Sequence, residues 1–307
     1  MSTRTSRTSV RPSTGRSSTG LSFLVVAGLL WGTGGFSGTL IERVAGLSPF
    51  AVAAYRLAVG GGLIGIVLLA TGRRLPRSRA AYARVGLIGV LTAVYQASYF
   101  AAATLTTVSL ATLITIGSSP VVVLAVETIT GRRRLDRAVL LTLALALAGL
   151  GLLVGLPTGT FGTGALLAGA GLALLSATCF GTMSLACAAP IAGLDELTTT
   201  GVGFGIGGAL VLAVSAPTVG VGFAPTPVAL GLVGFLGLVP TAIAYVSYFR
   251  GLPTAGPGAA ALLALLEPLV GSLLAALFLR ETLGVAGWCG AVLLMIAVVL
   301  AGRTVRR

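Results

Sequence analysis

Leu265-Leu266-Glu267-Pro268 stands near the middle of an apolar run from Gly258 to Leu279. A run of that length crosses a bilayer, which puts Glu267 near the hydrocarbon midplane, where an ionised side chain costs roughly 2.5–3.5 kcal/mol on insertion scales. Carboxylates at that depth mark functional sites by default. Pro268 lacks a backbone N–H and clashes with the carbonyl one turn back, so the spacing predicts a helix kinked or opened beside the carboxylate, with a polar cavity there. The structural alternative is a Pro-kinked packing helix whose Glu is neutral or paired with a neighbour.

The rest of the chain agrees with a membrane setting. Of 307 residues, 56% are hydrophobic and 9% charged, and the mean hydropathy is +1.04; this is a polytopic all-α integral membrane protein, with the lipid bilayer as its first partner. The 45 glycines suit close helix packing in lipid. A net charge of +13 would suggest nucleic acid in a soluble protein. Here every basic residue is Arg and most lie in short segments between apolar runs, so the charge describes topology and no nucleic-acid partner is expected. The absence of His removes the commonest transition-metal ligand and the usual general base, and Cys179, Cys187 and Cys289 have no metal or redox spacing. The expectation is therefore no enzyme, no metal and no cofactor.

Residues 1–20, rich in Ser, Thr and Arg without an acid, read as a disordered cytoplasmic tail, although an organellar transit peptide shares that composition. Ten apolar segments follow: Leu21–Ile41, Pro49–Ala70, Val85–Leu105, Val108–Ile129, Ala138–Gly155, Gly164–Ala189, Leu197–Ala216, Pro227–Phe249, Gly258–Leu279 and Val285–Ala301. With the N-terminus in the cytoplasm, Arg4 to Arg16, Arg73 to Arg84, Arg132 to Arg137, Arg250 and Arg303 to Arg307 all fall inside, 17 of the 20 arginines. That bias places both termini in the cytoplasm.

The halves repeat, as 21–155 and 164–302. Pro120 matches Pro268 at an offset of 148, together with Arg132 and Arg280; Gly60-Gly61 matches Gly207-Gly208 at 147, and Thr33 matches Thr178 at 145. Five helices per unit is odd, so the second unit is upside down, and inverted repeats point to alternating access around a midplane site.

The chain resembles the EamA family of the drug/metabolite transporter superfamily. The resemblance rests on Gly28-Leu29-Leu30-Trp31-Gly32-Thr33, Tyr55-Arg56-Leu57, Ser109 to Leu113 leading to Pro120, Leu266-Glu267-Pro268, and Arg280-Glu281-Thr282-Leu283. It implies two inverted five-helix repeats, a plasma-membrane location, and efflux of amino acids or other small metabolites. Two positions depart from symmetry: Arg133 stands opposite Glu281, and Ser119 opposite Glu267.

Candidate substrate-binding residues are Trp31, Arg56, Tyr95, Gln96, Tyr99 and Tyr245, and candidate coupling or gating residues are Glu267, Pro268 and Pro120. Arg56, about 10 Å from the outer end of its helix at 1.5 Å per residue, would bind a substrate carboxylate, pair with Glu267, or snorkel to the interface. Tyr95 and Tyr99 share a helical face, and their hydroxyls with Gln96 would read polar groups. Tyr248 and Phe249 read as an interfacial belt beside Arg250, Glu127 as a partner of Arg132, and Asp195-Glu196 as a helix cap. Gly203-x-Gly205-x-x-Gly208 has no strand before it and reads as packing, not a dinucleotide loop; no Walker sequence occurs. Gly34-x-x-x-Gly38 and Gly61-x-x-x-Gly65 read as helix contacts, with a homodimer as a further use. The reading is a secondary transporter of a small-molecule substrate, with the site formed mainly by helices 1, 3, 4, 6, 8 and 9 and with proton exchange at Glu267; a non-transporting membrane sensor or scaffold of the same fold is the alternative.

Overall fold

The computed structural model describes residues 14–155, 161–278 and 284–305. Its helices are α1 (Thr14–Ala45), α2 (Pro49–Ala70), α3 (Arg79–Leu105), α4 (Val108–Ile129), α5 (Arg137–Val154), α6 (Thr163–Ala188), α7 (Glu196–Thr218), α8 (Pro227–Gly237), a π-helical segment (Leu238–Ile243), α9 (Ala244–Ala255), α10 (Pro257–Leu263), α11 (Leu266–Phe278) and α12 (Val285–Val305). Joining α8 to α9 through the π segment, and α10 to α11, gives ten helices long and apolar enough to cross a membrane among the described residues.

Local chemistry sets the boundaries. Ser48, Ser78, Thr107, Asp136, Asp195 and Thr226 each accept a hydrogen bond from the backbone N–H three residues on, closing the start of α2, α3, α4, α5, α7 and α8. α1 begins at Thr14, inside the stretch expected to be a tail. Tertiary packing extends it: Gly20 lies flush against Thr254 and Gly251 on α9, a contact that any side chain would block. Arg280-Glu281-Thr282-Leu283 lie outside the described residues.

The two halves pack as a pseudo-symmetric pair. The main contacts are α2 with α7 and α5 with α12, each joining corresponding helices; α3 with α6 mirrors α1 with α9, and α4 with α6 mirrors α1 with α11. Single residues follow the same rule. Gly20 meets Thr254 while Gly169 meets Thr106, and Gly32 meets Val270 while Gly181 meets Val122. These pairs align α1 with α6 at 149 residues, replacing the 145 expected from Thr33 and Thr178, because packing rather than residue identity fixes the register.

At the centre, Gly61 faces Gly205, and Gly208 faces Ala58. As one number rises the other falls, so α2 and α7 run antiparallel, and the second half is inverted relative to the first. Gly203, Gly205 and Gly208 are thus spent on packing, and Gly61 and Gly34, which faces Pro240, make contacts within the chain. Cys179 and Cys187 are buried, whereas Cys289 faces outward from α12.

A side chain on Gly61 would run into the α7 backbone, whereas one on Gly62 meets nothing. Gly61→Leu is expected to cost about 3 kcal/mol or more, by forcing apart helices that touch through backbone. Thermal melting of purified protein should then show a large drop for Gly61→Leu and little change for Gly62→Leu.

Candidate functional site

A cavity of about 600 Å³ opens at the end of the bundle that carries the α1–α2 and α3–α4 turns. Its walls come from the latter part of α1 and α3, the first turns of α2 and α4, the end of α5, and α11 from Glu267 to Ala275. Trp31, Gln96, Ile116, Leu236 and Glu267 line it well inside the bundle. Trp31, Arg56, Tyr95, Gln96, Tyr99, Glu267 and Pro268 all line it. Sequence reasoning missed the hydroxyls of Ser109, Thr112, Thr115 and Ser272, which share the wall, and Glu42, which lies toward the mouth rather than in bulk solvent. A short polar residue at every third or fourth position of an apolar helix was the available signal.

Glu267 owes its place to a break in the ninth span. α10 stops at Leu263, Ala264 and Leu265 form a turn, and Glu267 N–H donates to the Ala264 carbonyl at 3.0 Å instead of to a carbonyl four residues back. Pro268, just inside α11, cannot donate to Ala264. The carboxylate therefore stands at a helix start, where unpaired N–H groups favour negative charge.

Its counterpart Pro120 behaves differently: α4 runs through it without a break, and the residue is buried away from the cavity. Ser119 donates to Thr115 O at 2.7 Å, an extra polar contact within the turn that α4 keeps. The expected gating equivalence of the two prolines is thus not matched by equivalent geometry.

The neighbouring irregularity holds Arg56. Pro240 cannot donate to Leu236 O, and the Thr241 hydroxyl does so in its stead at 2.8 Å, within the π segment. Arg56 Nε–H donates to Thr241 Oγ1 at 3.3 Å and Arg56 Nη2 approaches Pro240 O at 3.5 Å. So the guanidinium neither snorkels to the interface nor pairs with Glu267: the ion pairs among the described residues are Arg73–Asp195, Arg133–Glu127 and Arg250–Glu196. A cation and a carboxylate thus line the same cavity without pairing.

Beneath the cavity lies an aromatic plug. Trp31 packs against Tyr248 at 4.8 Å, Tyr245 at 4.9 Å and Phe180 at 5.9 Å between ring centroids, and Phe204 backs Tyr245 at 4.6 Å. Tyr245 is therefore behind Trp31 and does not line the cavity. Tyr248 and Phe249 are core residues, 1% and 3% exposed, and not an interfacial belt, because the π segment turns this part of the eighth span inward. The sixth span supplies Phe180 to the plug but no cavity wall, while the second and fifth spans do line it.

Two tyrosine hydroxyls are already engaged: Tyr99 bonds Thr112 at 2.7 Å and Tyr248 bonds Ser184 at 2.9 Å. Tyr99 is thus not the free polar reader expected from sequence.

The arginine-rich end is closed. Arg73 of the first half bonds Asp195 of the second at 2.8 Å, Arg84 donates to Ala189 O at 3.1 Å, and Arg250 meets Glu196 at 3.4 Å. Glu127 lies against Gly258 at the start of α10 and pairs with Arg133 at 4.0 Å, rather than with Arg132 as its spacing suggested. Asp195 caps α7 as expected. Burial pushes its carboxyl up, but bonds from the Thr198 N–H and hydroxyl and from Arg73 outweigh this and hold it below the usual aspartate range.

The EamA-like transporter family matches this chain twice, over residues 18–155 and 167–303, the two structural halves. A relative from Bacillus subtilis (strain 168), "Uncharacterized transporter YwfM", is 30% identical over 285 residues, 93% of this chain and 94% of its own. A protein of known crystal structure, 23% identical, superposes with a TM-score of 0.79 over 94% of this chain and 98% of its own, and so shares the fold.

Two outcomes follow from the geometry. Thr241→Val leaves Leu236 O and Arg56 Nε short of partners in a buried setting, and is expected to cost about 1–3 kcal/mol, read as a lowered melting temperature. Because the folded Asp195 value is depressed, its stabilisation is complete above the unfolded value, ~4, and is lost as pH falls through the folded one. Melting temperature followed against pH should therefore show an acid limb in the wild type that Asp195→Asn lacks.

Proposed function

We propose that this chain, which belongs to the EamA-like transporter family, carries a zwitterionic small metabolite of the amino-acid class out of the cell, across the plasma membrane, by alternating access. The observation that carries the reading is the cavity itself. It is open at one end and closed at the other, with Arg56 and Glu267 facing a common space without pairing to each other. A guanidinium matches a carboxylate and a carboxylate matches an ammonium, so a zwitterion between them satisfies both at once. A volume of about 600 Å³ lies within the range of small-molecule sites, ~300–1,000 Å³.

The arginine bias supports a cytoplasmic position for the closed end, with both termini there. On that orientation the conformation faces outward, ready to release. Opening inward requires parting the two halves at Arg73–Asp195 and at Glu127–Gly258, while the mouth near Glu42 and Ser109 closes.

Glu267 is the group we assign to proton exchange. A carboxylate at a broken helix in mid-membrane alternates between binding an ammonium group and binding a proton, and this links substrate release to proton entry. The agreement of carboxylate, helix break and cavity supports that role better than position alone.

Metabolite profiling of medium from cells producing equal amounts of wild-type or Glu267→Gln protein tests the reading. One or more amino acids should accumulate outside wild-type cells, and the variant should lose the gain. In proteoliposomes the variant should also lose acceleration by an imposed pH gradient; undiminished proton flux in folded Glu267→Gln protein would sink the coupling. Absence of any exported metabolite, with a metabolite raising the melting temperature, would favour a sensor.

A further inference from the structure

The arginine-rich end is shut where α4 meets α10. Gly258, in the first turn of α10, lies against the last turns of α4. A methyl group added to it would fall 2.5 Å from Glu127 Oε2, 2.7 Å from Arg133 Nη1 and 2.9 Å from Leu124 Cδ2, so any side chain there displaces all three. Gly32 against Val270 and Gly181 against Val122 relate the fourth span to the ninth by 148 residues. Carried across by that offset, Leu124 corresponds to Ser272, Glu127 to Ala275 and Gly258 to Leu110. Counted instead from the residues that precede the helices, Gly256 and Thr107, Gly258 corresponds to Ser109.

At the cavity mouth the matching contact is not made. Ser109 on α4 and Ser272 and Ala275 on α11 line the open space, whereas Leu124 and Glu127 are 2% and 7% exposed. α4 packs on α10, and no comparable packing joins it to α11. The contacts of α2 with α7, by contrast, are matched on both sides of the axis. The cavity is thus the place where one of two equivalent contacts is open while the other is shut.

The residue sizes fit the missing contact. At the shut end a glycine receives the long side chains of Leu124 and Glu127. At the mouth the receiving position carries a side chain, Ser109 or Leu110, and the two residues that would meet it are cut back to Ser272 and Ala275. The atoms that crowd Gly258, Leu124 Cδ2 and Glu127 Oε2, have no counterpart in a serine and an alanine. In both contacts α4 carries the bulk and the ninth span the small residues, so each can reach the density of a packed interior.

We propose that the mouth shuts by seating Ser109 and Leu110 of α4 against Ser272 and Ala275 of α11, as Gly258 parts from Leu124 and Glu127. This rests on the alternating-access reading above and names the contact that takes turns with the one already formed. Packed interfaces switch between discrete arrangements rather than deforming smoothly, so the two contacts exclude each other.

Cysteine cross-linking reads the seat without any substrate. In protein whose exposed thiol, Cys289, is replaced by serine, the pairs Leu110→Cys/Ala275→Cys and Ser109→Cys/Ala275→Cys are oxidised in membranes. Leu110→Cys/Leu277→Cys is the control, because Leu277 is 74% exposed and points away from the seat. At least one Ala275 pair should form a disulfide above the control, and its yield should rise severalfold with Gly258→Leu, which props the arginine-rich end apart. No disulfide above the control, with or without Gly258→Leu, overturns the seat; a yield that Gly258→Leu leaves unchanged overturns the alternation.

The size argument is tested with Gly258 intact, and so stands even where Gly258→Leu does not fold. Ala275→Leu rebuilds the obstruction and should lower the disulfide yield of Ser109→Cys/Ser272→Cys, and adding Leu110→Gly should restore it. No fall, or no restoration, overturns the seat. Export is read separately: in proteoliposomes a cross-linked Ala275 pair should stop amino-acid release and a reductant should restart it. Disulfides that respond as expected in a protein releasing no amino acid overturn export and leave the seat standing, whereas release without any disulfide does the reverse.

Discussion

Close backbone contact between α2 and α7 is the constraint on which the rest of the architecture depends. Lipid removes the hydrophobic drive that brings helices together in water, so association rests on packing and on polar contacts between helices. Gly61 against Gly205 and Gly208 against Ala58 bring two main chains together at the centre of the bundle. Because these helices correspond to each other in the two halves, the contact lies on the pseudo-two-fold axis. Gly32 with Val270 and Gly181 with Val122 then repeat one contact on either side of it.

The symmetry is in shape and is broken in chemistry. The eighth and ninth spans carry a π segment at Pro240 and a turn at 264–265, whereas their counterparts α3 and α4 run continuously. Thr92 occupies the position equivalent to Pro240 and bonds Ile88 O within an ordinary helix, at 2.6 Å. The second half thus supplies the irregular backbone and the carboxylate, and the first half supplies most of the cavity wall, including Arg56, Trp31 and Gln96. Irregular backbone at membrane depth is tolerated where protein or a cavity covers it, and both breaks meet that condition.

Much of this was legible before any coordinates. Apolar run length predicted ten spans, and α2 and α4 begin and end where the sequence placed them. An odd helix count with a displaced repeat required inversion, and Glu267 with Pro268 marked the broken ninth span. The π segment was not legible, because Pro240 in an apolar run is equally compatible with a simple kink; only the Thr241 hydroxyl and the reach of Arg56 from another helix distinguish them. Partnership of the tyrosines was hidden for the same reason. Tyr95 and Tyr99 sit where periodicity put them, but whether the Tyr99 hydroxyl faces ligand or protein depends on Thr112 arriving from α4. Sequence spacing sees one helix at a time, and most corrections to the candidate site came from a contact between two.

Trp31 and Phe180 stand 149 residues apart, on helices aligned by their glycine contacts, and their rings touch at a centroid distance of 5.9 Å. They are thus equivalent residues meeting across the axis, one facing the cavity and the other beneath it. If alternating access exchanges the conformations of the two halves, the cavity opens on the opposite side of this pair and Phe180 becomes the exposed ring. Phenylalanine has no N–H to offer, and Ser119 takes the place that Glu267 holds now. Exchange would therefore convert a site with a carboxylate on its wall into one with weaker polar wall chemistry. The unequal chemistry of two equal shapes then gives the cycle different affinities at its two openings, which a symmetric pair of repeats would not provide.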